Sequence, residues 1–123
     1  MTRIESHRDL VVWQKAMDLA VEIYRLTKTF PKDETYRMVS QTTRAAASVP
    51  ANIAEGHSRR TSRDYAQFLT IAKGSLMELE TYLTLAIRLE YLREHEVQAA
   101  TDLVTQISKM ITSLRKRILE LVP

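Results

Sequence analysis

A chain of 123 residues, 45% hydrophobic and 27% charged, is long enough for one domain with a real core and too apolar to stay disordered. Two glycines, three prolines and no cysteine leave too few turn residues for a many-stranded sheet, and they exclude disulfides, thiolate catalysis and cysteine-type zinc sites. The formal net charge of +3, from 18 basic and 15 acidic residues, permits an anionic partner without demanding one.

The first helix is predicted from Asp9 to Lys28. Leu10, Trp13, Met17, Ala20 and Tyr24 recur at 3-4 spacing, with Val12, Ala16, Leu19, Ile23 and Leu26 beside them, so its apolar face is wide. Asp9 is the expected N-cap, and Pro31 ends the element because the residue before a proline avoids the α region. The second helix is expected from Asp33 to Gly56, with Gly56 as the terminating C′ glycine and a kink or break near Pro50. Its stretch RAAASVPANIAEG carries only Arg44 and Glu55 as charges, so it lacks an ordinary solvated face and is expected to be packed on more than one side.

Thr61 or Ser62 should cap the third helix, with Asp64 as the acid of a capping box. Tyr65, Phe68, Leu69, Ala72, Leu76, Leu79, Leu83 and Ala86 form its seam, and it should end around Glu90–Leu92. A second uncharged line (Ala66, Thr70, Gly74, Met77, Thr81) suggests close packing at Gly74. In the fourth helix Val97, Ala100, Val104, Ile107, Ile111, Leu114, Ile118 and Leu121 alternate 3-4 without a miss, which is coiled-coil-like packing. The reading is therefore all-α: a single domain over residues 1–123, folded as an antiparallel up-down-up-down four-helix bundle with helices at about 9–28, 33–56, 62–91 and 94–121. No apolar run nears the roughly 20 residues that span a bilayer, so no membrane is implied. The opening MTRIESHRDL lacks a signal-type apolar segment. With the lack of cysteine, this predicts a cytoplasmic protein.

Catalysis finds little support. His7, His57 and His95 are scattered, and no HExxH, phosphate-cradling glycine loop or nucleophile elbow occurs. Glu78 and Glu80, two apart on a helix, point in different directions. The expectation is a non-enzyme without cofactor or metal. Two basic clusters are the candidates for anion contact. Arg59, Arg60 and Arg63 surround the start of the third helix, where the helix dipole and free N–H groups favour an anion. Arg115, Lys116 and Arg117 lie where helix C-terminal cations also stabilise the dipole without any ligand. Neither cluster forms a groove-reading helix or a stacking platform, so contact with RNA or DNA would be to the backbone and strongly salt-dependent. Arg44, Asn52 and Glu55 form a separate polar set. Arg44 and Glu55 lie about 16 Å apart along a helix, so each is expected to meet another helix or chain. That predicts a polar network fixing register or an interface, with a ligand site as the sharper alternative.

The segments DLVVWQKAMDLAVEIYRLTKTFPKDE, SVPANIAEGHSRRTSRDYAQFL and AKGSLMELETYL resemble the four-helix-bundle proteins encoded in bacterial 23S rRNA intervening sequences. The resemblance covers roughly residues 8–92, with ANIAEG and GSLMELE its most specific parts. Thr42-Thr43 departs from the bulkier apolar or basic pair expected there. The resemblance implies a ring-like homo-oligomer, a homopentamer around a central channel. The chain also looks like the accessory variability determinant proteins of diversity-generating retroelements, which implies nucleic acid and a reverse-transcriptase-type protein as partners. By that analogy Arg59, Arg60 and Arg63 are the first positions for phosphate contact. The leading expectation is a nucleic-acid-associated accessory protein. The alternative is a protein-interaction scaffold without nucleic-acid affinity.

Overall fold

The computed structural model describes residues 3–121. Four long helices make up the body: α1 (Val11–Thr27), α2 (Ser40–His57), α3 (Ser62–Arg88) and α4 (Glu94–Leu119). Contacts run α1 to α2, α2 to α3, α3 to α4 and α4 back to α1, so the four close on one another as a bundle. The antiparallel order is visible in the cross-helix bonds. Ser48 of α2 meets Ser75 of α3, while Gly56, later in α2, meets Phe68, earlier in α3. Likewise Thr70 and Lys73 of α3 reach Arg115 and Thr112 of α4 in reversed order.

The core is one contiguous apolar cluster. Leu19, Ile23, Ile53, Leu69, Leu76, Leu79, Ile107 and Ile111 are its largest fully buried members. The 3-4 seam expected of α4 is buried from Val97 to Ile111 and again at Ile118, with Leu114 half-buried. Leu121 falls outside it, because the helix ends at Leu119 and the side chain stands in solvent.

Several boundaries differ from expectation. Asp9 is not the N-cap of α1. Ser6 caps a 3-10 turn over His7–Asp9, and the Asp9 carboxylate accepts from the Glu5 and Ser6 N–H groups at 2.8 and 3.2 Å. Those bonds, Glu5 first, hold the Asp9 carboxyl below the ordinary aspartate range. The helix α1 itself starts after Leu10, which is extended.

The second helix does not start at Asp33. A 3-10 turn (Lys32–Glu34) and a π-helical turn (Thr35–Val39) precede Ser40. Glu34 is drawn inside to 6% exposure, where it accepts from the Tyr91 hydroxyl at 2.9 Å and faces Arg37 Nε at 3.2 Å. The Glu34 carboxylate, and then burial, pushes the Tyr91 hydroxyl up from the ordinary tyrosine value. Thr42 and Thr43 explain their own presence. Their hydroxyls donate to the Met38 and Val39 carbonyls at 2.6 and 2.8 Å, where backbone pairing changes from the π to the α pattern.

The helix α2 runs unbroken through buried Pro50 and through Gly56, which is therefore not its C′ residue; Ser58 is the C-cap. At the start of α3, Thr61 is the cap and its hydroxyl accepts from the Asp64 N–H at 3.1 Å. The helix α3 stops at Arg88 in a Schellman closure. Tyr91 N–H reaches the Ala86 carbonyl at 2.9 Å and Glu90 N–H the Ile87 carbonyl at 3.0 Å. Glu90 occupies the C′ position with φ 64°, a left-handed conformation that glycine adopts without the Cβ penalty. Glu90→Gly should therefore raise stability by about 1 kcal/mol in urea titrations, without changing the denaturant slope.

Candidate nucleic-acid interface

The up-down order gathers the N-terminus of α1, the α2–α3 connection and the C-terminus of α4 at one end of the bundle. Both predicted basic clusters therefore share that end. The structure separates them by role.

Arg59 is occupied. Its guanidinium pairs with Glu55 one turn earlier and lies over the Phe68 ring, 4.7 Å from the centroid. Arg60 and Arg63 are exposed. Among the described residues neither has a carboxylate at ion-pair distance, and the same holds for Arg115, Lys116 and Arg117. Arg117 turns toward α1, lining a shallow groove with Leu10, Asp9 and Lys109. Arg115 and Lys116 turn the other way, into a groove against α3.

That second groove holds residues that sequence reasoning passed over. Lys73 Nζ donates to Thr112 Oγ1 at 2.8 Å, and Arg115 Nε donates to Thr70 Oγ1 at 2.9 Å. The two bonds form a reciprocal clasp, because TIAK in α3 and TSLR in α4 are both Thr-x-x-cation segments running in opposite directions. Residues three apart share a helix face, so each helix offers a hydroxyl and a cation to the other. The repeated segment was the available signal, but it has meaning only once α3 and α4 are known to be neighbours in this register.

The polar set of α2 divides. Asn52 donates to the Ser48 carbonyl at 2.8 Å and the Ser48 hydroxyl at 2.9 Å, and Ser48 meets Ser75 of α3 at 2.8 Å. This network links α2 to α3. Glu55 does not join it and pairs within its own helix end, contrary to the expectation that it would meet another helix or chain. Arg44 is exposed and forms no ion pair among the described residues.

Two apolar surfaces remain uncovered. In α1, Met17, Val21 and Tyr24 face outward beside half-buried Trp13, with Val21 67% and Tyr24 52% exposed. Together with Ala47, Ala51 and Ala54 of α2 they line an apolar groove of about 760 Å³. Along α3 the exposed apolar residues include Ile71 and Leu85, followed by Leu89 at its C-cap, with Glu78 exposed between Ile71 and Leu85. The line expected from sequence does not behave as one face. Ala66 is buried, Thr70 is bonded to Arg115, and nothing lies within 4 Å of a Cβ built on Gly74.

The histidines stay apart in their packing, His7 edge-on to Trp13 at 5.0 Å and His57 edge-on to Tyr65 at 5.8 Å. Among the described residues no cluster of His, Asp and Glu has metal-ligating geometry, and no helix is long and apolar enough to cross a membrane.

The model of the family described as 23S rRNA-intervening sequence protein matches residues 8–113, reaching well into α4. Among solved structures the chain is similar to a protein of unknown function from the S23 ribosomal protein family of Bacteroides thetaiotaomicron. The two are 29% identical with a TM-score of 0.77, over 86% of this chain and 99% of that one. No curated protein matches. The helices, their order and the sequence match agree, and the chain belongs to the 23S rRNA-intervening sequence protein family.

Proposed function

We propose that this protein is a non-enzymatic, self-associating helical bundle that acts as an accessory to nucleic acid, holding its phosphate backbone. The carrying observation is the set of cations at one end of the bundle, Arg60, Arg63, Arg115, Lys116 and Arg117, none ion-paired to a described carboxylate. Arginine and lysine without carboxylate partners keep their donors for phosphate. Self-association is supported by the two uncovered apolar surfaces. A groove on one side and a ridge on another are unlike each other, so copies would meet head-to-tail, and such contacts close into a ring where the rotation between copies closes. The pentameric count rests on the family resemblance alone.

The test is binding of RNA and DNA fragments by the purified protein between about 50 and 200 mM salt. Replacing Arg60, Arg63 and Lys116 together by alanine should flatten the slope of log affinity against log salt by about 2 to 3, at roughly 0.9 per lost phosphate contact. An absence of binding at the lowest salt would overturn the reading. It would favour a protein-interaction scaffold without nucleic-acid affinity.

A further inference from the structure

The groove between α3 and α4 has a chemistry of its own. Its floor is the buried pair Leu69 and Ile111, and its walls carry Lys73, Arg115 and Lys116 beside Thr70 and Thr112. It continues along α4 past Ser113 and Ser108 to Lys109. Among the described residues the lining contains one carboxylate, Glu120, and no aromatic side chain.

Hydroxyls hold the cations in place. Lys73 spends one of its three N–H groups on Thr112, and Arg115 spends its Nε–H on Thr70. Among the described residues the other two ammonium donors and both terminal amino groups of the guanidinium have no partner. A neutral partner orients each side chain while leaving its charge uncompensated, which a carboxylate partner would not do. Fixing a long side chain in advance lowers the ordering cost of binding.

We propose that this groove is a phosphate-backbone site for double-stranded nucleic acid. The inference rests on the nucleic-acid reading above and narrows it to a ligand class and a place. Sites built for single strands pair a basic track with aromatic platforms on which bases stack, and this groove offers the track alone. A duplex needs no platform. Its bases are already stacked, and its phosphates stand outward at one charge per about 1.7 Å of axis, both strands counted. Lys109 and Lys116, seven residues apart on α4, span about 10 Å, the axial length of about three phosphates on one strand. Thr and Ser hydroxyls between the cations add contacts that fix the backbone without reading bases.

The experiment uses the full-length protein and one sequence of about 20 nucleotides, presented as duplex and as single strand, in anisotropy titrations across a salt series. The variant replaces Lys73 and Lys109 by alanine. Both are exposed, and circular dichroism and size checks establish that the variant keeps the wild-type fold and assembly. The duplex should bind at least tenfold tighter than the single strand, and the variant should lose about 2 from the duplex salt slope. Equal or tighter binding of the single strand overturns the duplex assignment while leaving phosphate contact standing. An unchanged slope in the variant overturns the placement in this groove. Failure of both ligands to bind at low salt overturns the nucleic-acid reading itself.

Discussion

Gly56→Ala lowers stability by about 2 kcal/mol, whereas Gly74→Ala raises it by up to about 1 kcal/mol. Both glycines sit inside helices, and propensity alone makes both substitutions favourable. Contacts decide the sign. A Cβ on Gly56 would lie 2.8 Å from Phe68 Cβ, 3.0 Å from Tyr65 Cδ1 and 3.2 Å from the Tyr65 carbonyl oxygen. The crowding atoms include the backbone and Cβ of α3, so a rotamer change cannot relieve them and the two helices must separate. Separation would strain the Ser48–Ser75 bond two turns away and open the densely packed α2–α3 contact. At Gly74 nothing lies within 4 Å, and alanine there only reduces the freedom of the unfolded chain. Urea titrations of both variants, with unchanged slopes, measure the pair. Stabilisation by Gly56→Ala would mean that the α2–α3 approach is looser than described.

Under the proposed self-association, Val21→Glu should leave the protein monomeric, weakening association at least 100-fold, with the helical content of the monomer intact. Val21 projects from the outward line of α1 at 67% exposure, in the middle of the groove formed with α2. The substitution leaves the folded monomer nearly untouched, since an exposed side chain makes few intramolecular contacts. In an apolar interface it would bury a carboxylate without a partner, and truncated or mismatched central positions cost the most. Leu85→Glu on the α3 ridge should act the same way. Mixing the two variants should restore one contact, because a head-to-tail interface joins unlike surfaces. Sedimentation velocity checks all three. An oligomer that survives both substitutions would remove these faces from the assembly, and a monomeric wild type would remove the assembly.

The sequence is a good guide to the bundle and a weaker one to its surfaces. The 3-4 repeat of α4 is almost entirely buried as expected, because a single apolar stripe on a charged helix has only one way to face a core. In α1 two apolar lines run side by side, and periodicity cannot rank them. The structure takes Val12, Ala16, Leu19, Ile23 and Leu26 inside and leaves Met17, Val21 and Tyr24 out. Turns were the other difficulty. The turns before α2 carry a buried carboxylate, Glu34, that a tyrosine 57 positions later meets, and no local pattern records such a partner. Gly56 read as a stop signal when it is a point of contact, since termination and close approach call for the same residue.

What the chain determined by itself was its class: four amphipathic helices, few breakers, no cysteine, and cations concentrated in segments 59–63 and 115–117. These depend on composition and on spacing within one helix, which are local. Only the tertiary structure decided which cations remain available. Register across the bundle brings Phe68 to Arg59, whose carboxylate partner Glu55 lies one turn earlier at the same helix end, and it brings Thr70 and Thr112 to Arg115 and Lys73. Charge is written into the sequence, and so is the local pairing of Arg59 with Glu55, but the neutral neighbours that orient Lys73, Arg115 and Arg59 are ones that folding supplies from another helix.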